Sequence, residues 1–245
     1  MLGPILDVVF PRRCAGCGSG TWPFCASCRG RLITFAPPWC ARCGLPSERD
    51  VPHCPECPPG DLSRARAPFL FEGPARSAVH RLKFSGWRTV AEVLGRAMVG
   101  VVWDAESDAV TWVPLSRRRL AERGFDQAHA LALVVARRLG RPALPLLVRK
   151  ADTAPQARRA GSDRRAAVAG LFRAEGRSPP RVLLVDDVLT TGATASACAR
   201  ALREAGAREI ALVTAARAVS APLPARYTRA GLTPGSVVAR GRFPR

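Results

Sequence analysis

The sequence predicts an α/β protein in which helices cover both faces of a parallel sheet, and a small metal-binding module precedes this sheet. Beyond residue 60, apolar runs of strand length alternate with helix-forming stretches, as they do in parallel α/β folds. Before residue 60 there is little apolar periodicity, and eight of the nine cysteines fall into CxxC pairs among many prolines and glycines. A segment of this composition is expected to fold around metal and not around an apolar core.

The alternation places the elements of the sheet domain along the chain. Apolar runs predict strands at residues 69–71, 109–113, 144–148, 181–185 and 209–215. Helical periodicity predicts helices at residues 75–82, 89–102, 127–139 and 195–205. The last two stretches are each followed by a glycine, Gly140 and Gly206, where helices often end. We therefore divide the chain into a module at 1–60, a sheet domain at 61–217 and a basic tail at 218–245.

Residues 182–194, VLLVDDVLTTGAT, are the most informative part of the sheet domain. Four apolar residues, typical of a strand that is buried on both faces, run into Asp186 and Asp187. Ligands of open α/β sheets bind at the carboxyl ends of such strands. The turn into the next helix offers backbone amides and hydroxyls to an anion. Its residues are Thr190, Thr191, Gly192, Ala193 and Thr194. This pattern predicts a pocket for a phosphorylated sugar, with acids for its hydroxyls and amides for its phosphate.

The CxxC pairs predict two structural zinc sites, because zinc takes four ligands and each CxxC turn presents two thiolates. The pairs are Cys14/Cys17, Cys25/Cys28, Cys40/Cys43 and Cys54/Cys57. Sequential pairing gives two zinc ribbons, and interleaved pairing of the first knuckle with the third is the alternative. The N-terminus MLGPILDVVFPRR has no basic start, and its apolar stretch is too short for a secretory signal. We therefore expect a cytoplasmic chain whose cysteines bind metal and do not form disulfides.

Together, these features resemble the ComF family, which joins a double zinc ribbon to a type I phosphoribosyltransferase-like domain. The segment VLLVDDVLTTGAT resembles the motif that binds phosphoribosyl diphosphate (PRPP) in type I phosphoribosyltransferases. Residues 83–86, KFSG, resemble the family's Lys-Tyr-x-Gly segment. Residues 113–115 and 123–127, VPL and RGFDQ, resemble its Val-Pro and Arg-Gly-Phe-Asn-Gln block. Asp126 stands where the family usually has Asn, which adds a negative charge near the expected phosphate site.

The resemblance implies a PRPP site in which Asp186 and Asp187 contact the ribose hydroxyls and Mg²⁺ accompanies the diphosphate. The residues that it assigns to the phosphates are Thr190, Thr191, Gly192, Ala193, Thr194, Pro114, Leu115 and Arg123. The basic segment at 153–165 lies between the diphosphate loop and the PRPP motif, where a closing lid is expected. No acceptor signature can be read. Whether the chain is an enzyme that completes a phosphoribosyl transfer is therefore left open.

The charge of the chain supports a second reading. The formal net charge is +19, from 38 basic and 19 acidic residues. Arginines near the sheet edge suit a diphosphate, but a wide basic surface also attracts nucleic acid. A preference for arginine codons explains Arg over Lys and does not explain the excess of bases over acids. The family's competence role implies the alternative, a non-catalytic DNA-uptake protein that binds single-stranded DNA and other competence proteins. No apolar run reaches the length of a transmembrane segment, and we expect the basic tail to be disordered.

Overall fold

A computed structural model of the chain describes residues 13–102, 106–150, 170–219 and Leu223. Its strands are β1 Arg64–Arg66, β2 Phe69–Leu70, β3 Ala109–Trp112, β4 Leu147–Arg149, β5 Phe172–Ala174, β6 Arg181–Leu189 and β7 Glu209–Arg217. The central sheet is parallel, with β7 and β6 in the middle and β3 on one edge. On the other edge, β1 and β2 pair one after the other with β7. β4 and β5 form a separate antiparallel pair.

Helices cover both faces of the sheet, which confirms the predicted α/β architecture. They are α1 Ala26–Gly30, α2 Gly73–Phe84, α3 Val90–Val99, α4 Arg117–Arg123, α5 Gln127–Leu139 and α6 Ala193–Glu204. α2, α3 and α5 pack on one face, where β6 contributes Leu183 and Val185 to the core. α6 and the β4–β5 pair cover the other face, where β6 contributes Val182 and Leu184. None of the helices described is long and apolar enough to cross a membrane.

The sequence predicted the bounds of α5 correctly, but the predicted end of β6 was wrong. α5 has the predicted bounds and ends at Gly140, which adopts the left-handed conformation with φ 63°. β6 was expected to end at residue 185, before the two acids. It continues to Leu189, because residues 186, 188 and 189 keep their pairing with β7. Asp186 and Asp187 therefore lie within the strand and not after it.

The first cysteine cluster is part of the main core, contrary to the expectation that the module folds around metal alone. Its buried residues pack with α2, α3 and β6 in a single apolar cluster, and they are Cys14, Ala15, Phe24 and Cys28. The Arg81 guanidinium of α2 donates to the Ala15 carbonyl over 3.1 Å and also to the Gly16 carbonyl. Packing against the sheet domain therefore supports this ribbon as well as metal.

The second cysteine cluster has a small apolar core of its own. Cys40, Cys43 and Leu45 are buried there, and Val219 and Leu223 from the chain after β7 pack against them. The predicted lid at 153–165, the first twelve residues and nearly all of the predicted tail lie outside the described residues.

Candidate functional site

The eight CxxC cysteines form two clusters in sequential order. They are Cys14, Cys17, Cys25 and Cys28 in the first cluster, and Cys40, Cys43, Cys54 and Cys57 in the second. The sulfur atoms within each cluster lie within 4.8 Å of one another. In the second cluster, the Sγ atoms of Cys40 and Cys57 are 3.5 Å apart, as are those of Cys43 and Cys54. Four thiolates around one zinc ion place their sulfurs about 3.8 Å apart. Each cluster therefore fits one structural zinc, with the sequential pairing.

In each cluster, the surroundings favour the thiolate at some cysteines, whereas burial raises the pKa of others, Cys28 to about 12 and Cys57 to about 11. Hydrogen bonds from the Ser19 hydroxyl and backbone lower the pKa of Cys17 to about 6. Burial opposes ionisation of Cys40, but bonds with the Cys43 backbone and the Cys57 thiol outweigh it and lower the pKa of Cys40 to about 7. Because zinc binds the thiolate form, Cys17 and Cys40 can bind metal near neutral pH.

Asp186 and Asp187, which were predicted to act together, point to opposite faces of the sheet. Asp187 continues the side of β6 that carries Leu183 and Val185, and it meets side chains from α2 and α5. Asp186 continues the other side and lines a small cavity beside the loop at 190–194. The alternation of side chains along a strand dictates this arrangement once β6 extends past the acids.

Asp187 is buried and is held by two partners. Its Oδ1 lies 2.6 Å from the Lys83 ammonium nitrogen, and its Oδ2 accepts a hydrogen bond from Gln127 Nε2 over 2.7 Å. The Gln127 Oε1 atom is buried and has no hydrogen-bond partner among the described residues. A donor from a bound molecule can satisfy it, since an orphaned buried acceptor is costly.

Asp186 is half-buried, and its Oδ1 accepts a hydrogen bond from the Asp187 backbone amide over 2.8 Å. Desolvation, followed by the charge of Asp187, raises the pKa of Asp186 well above its ordinary range. A carboxyl group in this state gains from a cation or a hydroxyl donor that reaches it.

The loop at 190–194 forms the N-terminal turn of α6, as its sequence predicts. Gly192 has φ 77° and is buried, whereas Thr190 and Thr191 are exposed. The loop residues Thr190, Thr191, Gly192, Ala193 and Thr194 line a cavity of ≈ 50 Å³ together with Asp186. This cavity suits a phosphate group and is too small for a whole sugar diphosphate.

A larger basic cleft of ≈ 290 Å³ lies between the end of α2 and α4. It is lined by Lys83, Phe84, Gly86, Arg119, Glu122 and Arg123. The Arg123 guanidinium lies over the Phe84 ring, 4.9 Å from its centroid. Lys83 belongs both to this cleft and to the ion pair with Asp187. The cleft therefore lies next to the face of β6 that carries Asp187.

Leu115, which was predicted together with Pro114 to bind diphosphate, is held by Asp126. The Leu115 amide donates to Asp126 Oδ2 over 3.3 Å, and Asp126 Oδ1 caps α5 by accepting from the Ala128 and His129 amides. Desolvation raises the pKa of Asp126 despite these bonds. The acid thus has a structural role, and it occupies the Leu115 amide of the predicted diphosphate loop.

Lys83, Phe84 and Gln127 were not among the residues predicted for the site, although the structure brings them to it. The signal was present in the sequence, since the first two lie in KFSG and Gln127 ends RGFDQ. Both segments supported the family resemblance, but Lys83, Phe84 and Gln127 carried no assigned role themselves, because their placement depends on how α2 and α5 pack on β6.

The fold and the clusters define a double zinc ribbon joined to a phosphoribosyltransferase-like domain. The chain matches the Double zinc ribbon domain over residues 5–58 and the Phosphoribosyl transferase domain over residues 151–233. It is 30% identical over 202 residues to the DNA utilization protein YhgH of Escherichia coli O6:H1, a match that spans 78% of this chain and 88% of that protein. The chain belongs to the ComF family.

Other relatives carry competence names. The Competence protein F of Haemophilus influenzae is 29% identical over 79% of this chain and 90% of its own length. The Competence protein ComFC of Bacillus subtilis is 27% identical over 74% and 78%, respectively. Among solved structures, the glutamine PRPP amidotransferase of B. subtilis is similar at a TM-score of 0.40 and 21% identity. The match covers 59% of this chain and only 32% of that one.

Proposed function

We propose that the chain binds PRPP or a similar sugar phosphate, together with Mg²⁺, at the carboxyl edge of β6. One observation carries the proposal: Asp186 lines the same small cavity as the loop at 190–194. The loop offers amides at a helix N-terminus to a phosphate. A carboxylate beside such a loop repels a bare phosphate, but it suits a ligand that also presents hydroxyls or a bound cation.

The basic cleft supports a place for the diphosphate. Arg119 and Arg123 lie one turn apart on α4 and line the cleft with Lys83. Guanidinium groups pair bidentately with phosphate oxygens. In the proposal, Lys83 turns from Asp187 toward the diphosphate when the ligand enters. A 5′-phosphate in the loop and a diphosphate in the cleft would then place the ribose beside the two acids.

The residues present also fit Mg²⁺, which prefers oxygen ligands and keeps part of its water shell. The Asp186 carboxylate, which lines the cavity, is a hard oxygen donor at this edge, and the ion would neutralise charge on the diphosphate. A bound cation would favour the ionised form of Asp186, whose pKa is raised by burial and by Asp187.

The test is calorimetric titration of the full chain with PRPP and Mg²⁺. We expect wild type to bind and Asp186→Asn to lose at least about tenfold in affinity, which corresponds to about 1.4 kcal/mol. Glu209→Gln is the matched control, because Glu209 is an exposed acid at the opposite end of the sheet's strands. Absence of binding by wild type overturns the proposal. Release of diphosphate with a panel of nucleobases separates a transferase from a protein that only binds the ligand.

A second function is favoured by one specific observation. Phe84 is 60% exposed in the basic cleft, with the Arg123 guanidinium over its ring. An exposed aromatic ring among arginines suits a base of single-stranded DNA, with its phosphates on the arginines. The DNA utilization and competence names of the relatives point the same way.

For this second function, the affinity of a single-stranded oligonucleotide is measured across a salt series. Binding through phosphates should weaken steeply as salt rises. Phe84→Ala should weaken binding at every salt concentration, since loss of stacking costs about 1–3 kcal/mol per base. Leu133→Ala removes an exposed apolar side chain from α5 and serves as the control. A flat salt response, or equal effects of the two variants, contradicts the proposal.

A further inference from the structure

The ribbon that carries the second cysteine cluster contacts the loop at 190–194 through Pro58. Pro58 follows the cluster residue Cys57 in the chain and is buried. A methyl group added at Gly192 would lie 2.6 Å from Pro58 Cβ and 3.2 Å from Pro58 Cα. Gly192 also has φ 77°, where side chains are strained. The loop glycine thus fits against a residue that is one peptide bond away from a zinc ligand.

The chain that leaves the second cluster is fixed along the first turns of α6. The Ser196 hydroxyl, one turn into α6, donates to the Pro59 carbonyl. Arg42, inside the second ribbon, donates to the Gly60 carbonyl over 2.8 Å, and Arg203 of α6 donates to the Asp61 carbonyl over 3.1 Å. Consecutive carbonyls of this linker are therefore held by groups from both sides.

Arg217, at the end of β7, binds the backbone of the second cluster from the side of the sheet. It is only 3% exposed, and its two terminal nitrogens donate to the Cys43 and Glu56 carbonyls, each over 2.7 Å. Cys43 belongs to one knuckle of the cluster, and Glu56 lies inside the other. One buried guanidinium thus spans both knuckles, and it extends from the strand that neighbours β6 in the sheet.

The first ribbon is attached elsewhere. Arg81 of α2 holds its Ala15 carbonyl over 3.1 Å, and its Gly16 packs against Pro74 and Cys28. Its attachment is to the helical face of the sheet that carries α2 and α3. The two metal clusters therefore have different structural neighbours, and the second adjoins the loop.

We propose that the second zinc ribbon is a buttress that holds the loop at 190–194 in its phosphate-binding shape. Pro58 and Arg217 are its positioning residues. The effect on ligand affinity rests on the proposed function, whereas the effect on the shape of the loop does not. Because linkage is reciprocal, a phosphate bound in the loop should also raise the affinity of the second cluster for zinc.

The test measures amide hydrogen exchange at residues 190–195 in the full chain without ligand. Cys57→Ser, which removes one ligand from the second cluster, should raise exchange of this segment at least about tenfold. Cys17→Ser removes one ligand from the first cluster and should leave exchange of this segment as in wild type. Metal content of each protein confirms which cluster has lost zinc. Equal exchange in Cys57→Ser and wild type overturns the proposal.

A second pair of variants keeps all eight cysteines, so that loss of folding does not decide the result. Pro58→Gly removes the ring that meets Gly192, and Pro52→Gly changes an exposed proline of the same ribbon that lies outside both knuckles. We expect Pro58→Gly alone to raise loop exchange and to weaken ribose 5-phosphate binding at least about fivefold, measured by calorimetry. Equal exchange in the two variants contradicts the buttress. If wild type binds no ribose 5-phosphate while the exchange results hold, the proposed ligand is wrong and the buttress stands.

Discussion

The ammonium nitrogen of Lys83 lies 2.6 Å from Asp187 Oδ1, in a pair whose side chains are only 20% and 8% exposed. Lys83 comes from the last turn of α2, and Asp187 comes from β6, so the pair joins the helical layer to the strand that carries the candidate site. One of the chain's two lysines forms this pair, although nearly all of its basic residues are arginines. A compact ammonium group on a flexible stem can leave a carboxylate for a phosphate more easily than a bidentate guanidinium.

Lys83→Met is predicted to destabilise the protein by about 2 kcal/mol, because breaking a buried pair leaves an uncompensated charge. The measurement is urea unfolding at pH 7.5. Lys150→Met is the matched control, since Lys150 is exposed, and surface changes of this kind are usually within about 0.5 kcal/mol. Equal losses in the two variants would show that the Asp187 pair contributes nothing to stability.

Asp186→Asn is predicted to stabilise the protein while it removes ligand affinity. The pKa of Asp186 is raised well above its ordinary 3.8 by burial and then by Asp187. A raised pKa means that the folded state holds the proton more tightly than the unfolded state, so stability is lost as pH rises through the folded value. A neutral amide avoids that loss.

The stability gain of Asp186→Asn should therefore grow with pH. We expect the variant to be more stable than wild type at pH 8. The measurement is the melting temperature of both proteins from pH 5.5 to 8.5, with the zinc content of each sample checked by metal analysis. A loss of stability in Asp186→Asn across this range contradicts the assigned pKa direction.

Some of the fold follows from local sequence signals, and α5 shows why. Asp126 caps its N-terminus through the Ala128 and His129 amides, and Gly140 ends it with φ 63°. Both signals lie within the chain segment itself. The central run of β6 was equally local, since four apolar residues in a row mark a strand that is buried on both faces.

The rest of the fold depends on contacts between distant residues. β6 extends past Asp187 because β7 continues to pair with it, and no local signal reports such pairing. β1 was missed because three residues of sequence RAR become a strand only by pairing with β7. In the candidate site, the acids and the loop were predicted from one segment. Lys83 and Gln127 reach Asp187 only through the packing of α2 and α5.

Asp126→Asn is predicted to raise the affinity of the full chain for inorganic diphosphate. The asparagine oxygen can still accept from the Ala128 and His129 amides and cap α5. Its amide nitrogen cannot accept from the Leu115 amide, which is then free to donate to a phosphate oxygen. The change also removes a half-buried carboxyl group whose pKa is raised by desolvation.

Calorimetric titration with diphosphate and Mg²⁺ measures this effect, with an expected gain of about threefold to tenfold, or up to about 1.4 kcal/mol. Asp126→Ala provides the comparison, because it frees the Leu115 amide but also removes the helix cap, which should cost about 1 kcal/mol of stability. Weaker diphosphate binding by Asp126→Asn would mean that the carboxylate itself supports the site.

Glu92→Gln is predicted to destabilise the packing of α3 on α5 by about 1 kcal/mol at pH 7.5, more than an exposed ion pair contributes. Burial opposes ionisation of Glu92, but hydrogen bonds from Arg96 and Arg138 and the charge of Arg137 outweigh it and lower the pKa of Glu92 to about 2. A lowered pKa gives stability that is complete above the ordinary value of 4.5 and is lost as pH falls toward 2. The effect is therefore fully present at pH 7.5.

Glu122→Gln is the matched control for Glu92, because Glu122 has one arginine partner, four residues earlier on α4, and is 54% exposed. Helix pairs of this kind contribute about 0.3–0.5 kcal/mol. Urea unfolding of the two variants gives the comparison. A loss in Glu92→Gln no larger than that in Glu122→Gln would show that its three arginines act only as solvated surface charges.

The purified protein is predicted to contain two zinc ions per chain, and their removal should affect the main core as well as the ribbons. Cys14 and Cys28 are buried in the same apolar cluster as α2 and β6, so loss of metal from the first cluster leaves thiols and a broken knuckle inside that core. The second cluster has its own small core. Cys28→Ser should therefore lower the melting temperature more than Cys54→Ser, and each variant should retain one equivalent of zinc by metal analysis. A larger loss of stability in Cys54→Ser would show that the second ribbon, beside the loop at 190–194, contributes more to stability than the first.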